Sequence, residues 1–406
     1  MGLASTWNQK ARMWIKGREN IFDSIKNEIG SKPKSGPTIW MHCASLGEFE
    51  QGRPLLEKIR QNHPSARLIV SFFSPSGYEV RKNYQGADHI FYLPLDGPSN
   101  AKNFIDLINP NLVLWIKYEF WYHYLKQLNQ RNIPVLLVSG IFRPGQAFFK
   151  SYGGFMRNML GYFSHFFVQN GESDSLLKTL GLGEKVTISG DTRFDRVIAI
   201  AERFTPVPAV EKFCEGHKVI VAGSTWTEDE EEWTHYVRTH PEIRFIIAPH
   251  EIEEDNIKSL KKEFKNYILY SELIAEETNA DNGRNVLIID NIGLLAKLYR
   301  YADITYVGGG FGDDGIHNIL EAAVYGKLVI FGPVFDKYFE AEEMLDEGGA
   351  ITIDSALQLE AELNRLWENE SEIKSSGEAA RNYVYSKAGA TNFILDYIQR
   401  NRLLTI

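Results

Sequence analysis

Glu48 is the first residue whose type and place in the sequence could support acid–base chemistry. It ends the segment Ser45–Glu48, which directly follows the apolar run 38–44, and the residues after it have helical character. Exposed N–H groups at a helix N-terminus favour a negative charge. We therefore expect an ionised carboxylate that could serve as a general base toward a hydroxyl group. The alternative is a glutamate that only caps the helix.

Glu119 and Arg193 form a second candidate pair. Glu119 lies among aromatic residues in Tyr118–Trp121, directly after the apolar run 112–117, and Arg193 follows the run 186–190. The planar guanidinium of Arg193 could pair with Glu119, or it could hold a carboxylate or phosphate of a ligand. The alternative is an ion pair with a purely structural role.

Polar loops follow the apolar runs in the second half of the chain. Ser224 and Thr225 follow one run, Pro249 and His250 follow another, and residues 290–294 follow a third. Because the carboxyl ends of parallel strands meet at one edge of a sheet, these loops together outline a pocket. Each of them could instead be a plain turn.

The segment 315–321 follows a glycine-rich turn. A helix that starts near His317 and Asn318 would offer N–H groups to one phosphate, and Glu321 would lie one turn later, where it could accept ribose hydroxyls. Residues 310–315 spell G-x-G-x-x-G, but two aspartates inside this loop would repel a pyrophosphate, so we do not expect a dinucleotide site. The pattern favours a nucleotide-sugar with few phosphates.

Short apolar runs that alternate with helical segments position all of these residues. Such runs are typical of buried parallel strands in βαβ units, and they form two series. The sequence predicts an α/β fold of two doubly wound Rossmann-like domains, with the ligand in a cleft between them. The predicted strands are 38–44, 68–73, 89–95, 112–117, 135–140, 165–169, 186–190, 218–225, 244–249, 286–290, 303–309, 327–332 and 350–353.

The predicted domain boundaries follow from the same pattern. Residues 1–200 form an N-terminal domain, residues 201–217 form a linker that contains two prolines, and residues 218–385 form a C-terminal nucleotide-binding domain. We expect residues 386–406 to form a helix that packs back on the N-terminal domain.

Composition excludes several classes of protein. The 406 residues are 44% hydrophobic, which rules out a disordered chain, and the net charge of -9 argues against nucleic acid as a partner. Two cysteines and the lack of an Asp-x-Asp pair at a strand end predict that no metal is bound. The sequence contains no run of about 18 apolar residues, which is the length that a membrane-spanning helix needs.

The first 36 residues differ in charge from the rest of the chain. They contain seven lysines and arginines against three acids, with Trp7, Met13, Trp14 and Ile15 among them. This mixture is typical of a segment that lies on an anionic membrane surface. The alternative is an ordinary solvated first helix that packs its tryptophans on the fold.

Taken in order, these motifs resemble the Kdo (3-deoxy-D-manno-octulosonic acid) transferases of lipopolysaccharide synthesis, a family of GT-B glycosyltransferases. The resemblance covers nearly the whole chain. It is carried by Ser45–Glu48, Leu93–Asp96, Tyr118–Trp121, Ile133–Pro134, Gln169, Gly190–Asp195, Ser224–Thr225, Ala248–His250, Val307–Gly309, His317–Glu321, Gly332–Pro333 and Phe339.

The resemblance implies a metal-independent, inverting transfer of Kdo from CMP-Kdo to a lipid A precursor, without a cofactor. Glu48 would be the proton acceptor, and Glu119 and Arg193 would stabilise the transition state. The residues implied in substrate or CMP binding are Ser224, Thr225, Pro249, His250, Ile292, Gly293, Leu294, Asn318, Ile319, Leu320 and Glu321.

The resemblance also implies a location at the cytoplasmic face of the bacterial inner membrane. The hydrophobic N-terminal anchor usual in the family is expected to be absent from this chain, which keeps only a cationic flank. Two other functions stay open at this point. One is a GT-B-fold nucleotide-sugar epimerase, and the other is a nucleotide-sugar-binding protein without catalysis.

Overall fold

The computed structural model describes residues 9–31, 36–117, 119–275 and 283–404. The chain divides into two compact units. The first unit comprises Met1–Arg196 together with Ala388–Ile406, and the second comprises Val197–Lys387. The chain therefore leaves the first unit, builds the second and returns to the first. The predicted linker, residues 201–217, falls within the second unit.

The first unit is built on one parallel sheet. Its strands are β1 (Thr38–Cys43), β2 (Arg67–Phe72), β3 (His89–Tyr92), β4 (Leu112–Ile116), β5 (Val135–Gly140), β6 (His165–Val168) and β7 (Val186–Ile188). They are arranged in the order β3-β2-β1-β4-β5-β6-β7. The order reverses between β1 and β4, which is the point where ligands bind in sheets of this kind.

The second unit repeats this plan. Its strands are β8 (Val219–Thr225), β9 (Arg244–Pro249), β10 (Tyr267–Leu269), β11 (Val286–Ile288), β12 (Ile304–Val307), β13 (Leu328–Phe331) and β14 (Ala350–Thr352). They form a parallel sheet in the order β10-β11-β9-β8-β12-β13-β14, so the reversal falls between β8 and β12. Strand β10 was not among the predicted strands.

Helices cover both sheets. The described helices are α1 (Gln9–Lys16), α2 (Ile21–Ser31), α3 (Leu46–Asn62), α4 (Pro75–Arg81), α5 (Pro98–Ile108), α6 (Tyr122–Gln130), α7 (Gly154–Leu160), α8 (Gly171–Thr179), α9 (Thr192–Glu202), α10 (Pro208–Cys214), α11 (Thr227–Thr239), α12 (Glu254–Glu263), α13 (Tyr270–Ala275), α14 (Leu295–Leu298), α15 (Leu320–Ala323), α16 (Phe339–Asp346), α17 (Ala356–Glu368), α18 (Glu370–Ser386) and α19 (Ala390–Arg400). None of them is long and apolar enough to cross a membrane.

The central strands of the first sheet are buried along their whole length, which explains why they read as continuous apolar runs. Two separate clusters of buried side chains make up the core of this unit. The last helix belongs to it, because Ile394 and Ile398 of α19 pack in the same cluster as Ile39 and Leu56. A stretch that is distant in sequence thus completes the first core.

Glycines allow close approach of the backbone at the edge of the second sheet. A Cβ atom on Gly308 would lie 2.4 Å from the carbonyl oxygen of Ser224 and 2.6 Å from the Cα of Thr225. A side chain at this position would therefore push β8 and β12 apart where the strand order reverses.

Candidate functional site

Glu48 lies in the first turn of α3, one loop after β1, as the sequence predicted. Its Oε2 accepts a hydrogen bond from the backbone N–H of Ala44. The pKa of Glu48 is raised to about 7, mainly by burial and also by the charge of Glu119, while the Ala44 N–H and Lys117 act in the opposite direction. The expectation that the helix N-terminus keeps this carboxylate fully ionised is therefore wrong, because the cost of burial is larger. A carboxylate with a pKa near neutrality is well suited to general-base work.

Lys117 is a site residue that the sequence reasoning missed. It follows β4 directly, and its φ of 58° places its backbone in the left-handed region, which residues other than glycine seldom adopt. Its positive charge lowers the pKa of both Glu48 and Asp191. The sequence does contain a signal for this residue, because Lys117 is a cation at the end of the otherwise apolar run 112–117.

Aromatic N–H groups surround Glu119. The indole of Trp115 donates to the backbone carbonyl of Glu119, and the indole of Trp121 donates to its Oε2 at 3.1 Å. The Nε2 of His42 lies 3.5 Å from the same carboxylate oxygen. Tyr118, which the sequence pattern included in this motif, lies outside the described residues. Glu119 is thus held at both its backbone and its side chain.

His42 is a second residue that sequence reasoning missed. It lies on β1, it has no exposed surface, and burial lowers the pKa of its imidazole. Its Nδ1 is 2.9 Å from the hydroxyl oxygen of Ser71 on β2, and that oxygen also accepts a hydrogen bond of 2.8 Å from the indole of Trp40. A polar path therefore runs through the apolar core to Glu119.

Arg193 pairs with Asp191, which lies two residues before it in the sequence and for which no role was predicted. The backbone N–H and the Nε of Arg193 each donate to Asp191 at 2.8 Å. Burial opposes the charge of Asp191, but Arg193 and Lys117 outweigh it and lower the pKa of this carboxyl. Gln51 of α3 also donates to Asp191, at 3.2 Å. Arg193 is thus anchored at the same edge of the sheet as Glu48.

Three aromatic rings meet at the carboxyl edge of the second sheet. The ring of His250 stacks on Trp226, with centroids 4.7 Å apart, and on His317, with centroids 4.3 Å apart. The indole of Trp226 donates to Nε2 of His317 at 3.0 Å. Burial, with a contribution from His250, lowers the pKa of His317 to about 4. His250 itself is exposed.

Ser224 and Thr225 end β8 and lie beside the reversal of strand order. Ser224 has a φ of 53°, and Thr225 donates its hydroxyl proton to Glu230 at 2.8 Å. Asp229 of the next helix accepts hydrogen bonds from the backbone N–H groups of Trp226 and Gly309. One buried carboxylate thus ties the loop after β8 to the loop after β12.

Residues 292–294 form an exposed turn after β11. Ile292 has 79% of its surface exposed, and Gly293 adopts a φ of 91° that favours glycine. Pro249, which ends the neighbouring strand β9, is partly buried. The structure therefore brings the loop residues that were predicted from β8, β9 and β11 to one edge of one sheet.

The segment Asn318–Glu321 differs from its predicted form. Helix α15 begins at Leu320 and is four residues long, so the helix predicted to start near His317 and Asn318 was placed too early. The Asn318 side chain takes part locally instead, because it donates to Glu321 at 3.2 Å and accepts from the N–H of Leu320. Ile319 and Leu320 are buried and pack in the core.

Each unit is a Rossmann-like domain with a seven-stranded parallel sheet, and the predicted fold class, GT-B with two such domains, is confirmed. UDP-GlcNAc 2-epimerase from Neisseria meningitidis matches with a TM-score of 0.62 at 14% identity, over 89% of this chain and 100% of that one. MurG from Acinetobacter baumannii matches with a TM-score of 0.54 at 11% identity, over 90% of this chain and 100% of that one. At such identities the likeness shows the fold alone.

Residues 19–196 match the family model described as 3-deoxy-D-manno-octulosonic-acid transferase (kdotransferase). The 3-deoxy-D-manno-octulosonic acid transferase of Aquifex aeolicus is 28% identical over 87% of this chain and 90% of its own length. The enzyme of the same name from Haemophilus influenzae is 27% identical over 99% of this chain and 95% of its own length. The resemblance to the Kdo transferases is confirmed.

A longer relative matches as well. The bifunctional glycosyltransferase/methyltransferase of Fusobacterium nucleatum is 29% identical over 80% of this chain, and the chain spans about half of that enzyme, 50% of its length.

Proposed function

We propose that the protein transfers Kdo, with inversion, from CMP-Kdo to a lipid A precursor in lipopolysaccharide synthesis. The observation that carries this proposal is Glu48, a partly buried carboxylate with a pKa of about 7 at the carboxyl edge of the first sheet. The similarity to the Kdo transferases over most of the chain supports the choice of donor and acceptor.

In the proposed reaction, Glu48 removes the proton from an acceptor hydroxyl as its oxygen attacks the anomeric carbon of Kdo. The bond from that carbon to the phosphate of CMP breaks in the same displacement, and CMP leaves with the electron pair. A single displacement needs a base on one side and a stabilised leaving group on the other. Glu119 and Arg193 stabilise the transition state, and Lys117 adds a positive charge near Glu48.

The second unit binds the nucleotide in this proposal. Its contacts come from the loops after β8, β9 and β11 and from Asn318–Glu321, which the sequence resemblance implied for CMP. The stacked rings of Trp226, His250 and His317 provide flat surfaces and ring nitrogens at the same edge. Such groups suit a planar base and an anionic phosphate.

The surface of the first unit supports a lipid acceptor and peripheral contact with an anionic membrane. Residues 120–164 contain five lysines and arginines and no aspartate or glutamate, in a chain of net charge -9. Tyr152 and Phe155 in this stretch have 78% and 56% of their surfaces exposed. Phe120, next to Glu119, packs on Phe148 in the same stretch, with centroids 4.9 Å apart. The resemblance to the Kdo transferases supports the cytoplasmic face of the inner membrane as the proposed location.

The decisive experiment compares Glu48→Gln with the wild-type protein. We expect the variant to bind CMP normally and to lose about 10²-fold or more of its transfer of Kdo from CMP-Kdo to a tetra-acylated lipid A precursor, the range that general-base removal gives. Glu172→Gln is the matched control, because Glu172 also lies in the first turn of a helix but is exposed. Transfer by Glu48→Gln at the wild-type rate would remove Glu48 as the base.

The same assay separates the alternatives. Release of CMP that depends on the lipid acceptor supports transfer, and CMP binding without any release would indicate a non-catalytic binding protein. Incubation with a UDP-sugar alone tests for epimerase activity. An epimerised product would overturn the proposed function.

A further inference from the structure

We propose that Arg18 is a positioning residue that acts on Glu119 through Phe73 and Trp121. This inference rests on the proposed role of Glu119 in transfer. Arg18 lies in the turn between α1 and α2, within the cationic N-terminal segment, and it is partly buried. It is therefore distant in sequence from every residue of the proposed site.

The guanidinium group of Arg18 fixes the backbone at the carboxyl edge of the first sheet. It donates to the carbonyl oxygen of Phe73 at 2.7 Å and to that of Leu93 at 2.9 Å. These two residues directly follow β2 and β3. A third bond, of 3.0 Å, goes to the carbonyl oxygen of Trp14 in α1. Arg18 thus joins the N-terminal helix to the ends of two strands.

Aromatic rings surround the same guanidinium group. Its Cζ lies 4.2 Å from the ring centroid of Trp14 and 4.9 Å from the centroids of Phe73 and Tyr92. Cations are attracted to aromatic faces, and more strongly where both are shielded from water. Burial lowers the pKa of Arg18 to about 10, so the positive charge that makes these contacts is present at neutral pH.

The ring of Phe73 connects Arg18 to Trp121. The rings of Phe73 and Trp121 have centroids 4.7 Å apart and planes inclined by 37°. Trp14 packs edge-on against Phe73, with centroids 5.7 Å apart. Arg18 and Trp14 therefore hold Phe73 at its backbone and at its ring, and Trp121 packs against a side chain that is itself fixed.

The position of the Trp121 ring decides how Glu119 is held. The indole N–H of Trp121 donates to Oε2 of Glu119 at 3.1 Å and to Nε2 of His42 at 3.3 Å. Hydrogen bonds weaken steeply with distance and angle, so a small shift of the ring would favour one acceptor over the other. We infer that the packing of Phe73 keeps this N–H group aimed at Glu119.

The test is a double-mutant cycle with Kdo transfer as the readout. Arg18→Met removes the donors and the charge but keeps a long side chain, and Trp121→Phe removes the indole N–H but keeps a ring. We expect Arg18→Met to lower kcat by about 10- to 100-fold with little change in the KM for CMP-Kdo, because misplacement of a catalytic group costs up to about 10²-fold.

In the Trp121→Phe background, Arg18→Met should lower kcat by less than about threefold. No indole N–H is left to position in that background, and residues that act through one another are not additive. Equal losses of kcat in both backgrounds would mean that Arg18 only supports the fold, and would overturn the proposal.

Arg244→Met is the matched control. Arg244 also donates to a backbone carbonyl, that of Phe213 at 3.1 Å, and lies over the ring of Phe213 at 5.3 Å, but it belongs to the second unit, where it begins β9. This variant should unfold at a lower temperature and keep the wild-type kcat. A loss of kcat as large as that of Arg18→Met would overturn the proposal.

A measurement that does not depend on transfer decides if Arg18→Met does not fold. Arg18→Lys keeps the charge but loses the planar fork that reaches several carbonyl groups. We expect the indole ¹H–¹⁵N resonance of Trp121, assigned with Trp121→Phe, to shift in Arg18→Lys and to stay in place in Arg244→Lys. An unchanged resonance in Arg18→Lys would overturn the proposal.

Other outcomes separate this inference from the proposed function. Transfer at the wild-type rate by Glu119→Gln would reject the role of Glu119 and, with it, the positioning role of Arg18. A strong effect of Glu119→Gln together with wild-type transfer by Arg18→Met would reject only the positioning role.

Discussion

At the scale of single residues, the proposed site is a group of carboxylates whose environments differ. Glu48 is partly buried and has a pKa of about 7, whereas Asp191 is buried beside Arg193 and has a lowered pKa. Such a division is typical of sites in which one acid takes a proton and another only anchors a cation. Both acids follow strands in the sequence. The difference between their pKa values comes from the residues that pack around them.

The pKa of Glu48 predicts the pH dependence of transfer. A base must be deprotonated to act, so kcat/KM should rise about tenfold per pH unit below the pKa of about 7 and level off above it. The measurement is initial-rate kinetics between about pH 5.5 and pH 8.5 at subsaturating acceptor. The exposed-residue variant Glu172→Gln should show the same profile. A flat profile over this range would contradict the role of Glu48.

Asp191 predicts an effect on stability. It is 1% exposed and accepts charge-assisted bonds from Arg193, so Asp191→Asn should lower the free energy of unfolding by roughly 1–3 kcal/mol. Because its folded pKa is depressed, its contribution is present above the unfolded pKa near 3.8 and is lost as the pH falls through the folded value. Urea titration at pH 7 measures the effect.

The exposed pair of Asp106 and Lys102 gives the comparison for Asp191. Asp106→Asn should change the free energy of unfolding by no more than about 0.5 kcal/mol, since surface ion pairs contribute little. If Asp191→Asn were equally mild, Asp191 would not be the anchor of Arg193.

At the scale of elements, the end of β8 and the loop after β12 lie so close together that a substitution at Gly308 should have a measurable effect. Gly308→Ala should lower the free energy of unfolding by about 1–3 kcal/mol and weaken CMP binding, because its Cβ would lie 2.4 Å from the Ser224 carbonyl. Gly312→Ala is the matched control in the same turn, since its nearest atom would be 3.6 Å away. Calorimetry of CMP binding and thermal unfolding measure both effects. Equal behaviour of the two variants would contradict this account.

Most strands could be predicted from the sequence because they are buried on both faces and appear as continuous apolar runs. Strand β10 was missed because its three residues are directly followed by α13. Helix α15 was placed too early because local propensity does not show that Asn318 would bind Glu321 and the N–H of Leu320. His42 could not be recognised at all, since its partners Ser71 and Glu119 are distant in sequence.

The Glu48 site was predictable in position but not in charge. Its place after a strand and before a helix is a local pattern, and the structure has it there. The height of its pKa depends on burial and on Glu119 and Lys117, which come from another strand end. The local sequence indicates how the helix N-terminus affects the pKa of Glu48. It does not indicate the effect of burial on this pKa, which is larger.

At the scale of the whole molecule, the first unit depends on the last helix. Ile394 and Ile398 are 0% and 3% exposed in its core, and Asp195 accepts the N–H groups of Gly389 and Thr391 at the start of α19. A chain that ends at Lys387 should therefore lose more than about 4 kcal/mol of the first unit's stability, since each buried isoleucine contributes about 2–5 kcal/mol. Thermal unfolding and proteolysis of the truncated chain measure this loss.

A milder variant tests the same dependence without removing the helix. Asp195→Ala should cost about 0.5–2 kcal/mol, the usual value of an N-cap, and should speed hydrogen exchange in α19 more than in the second unit. If hydrogen exchange in α19 were unchanged in this variant, the packing of α19 would stabilise the helix without the hydrogen bonds to Asp195.

The split of the first unit across the sequence has a consequence for synthesis on the ribosome. The second unit is one continuous stretch, so it can mature as soon as residues 197–387 have emerged. The first unit is made earlier but stays unfinished until α19 follows, with the apolar patch meant for Ile394 and Ile398 uncovered in the meantime. The part of the protein translated first is thus completed last, and during that interval it is the part most open to chaperones and to aggregation.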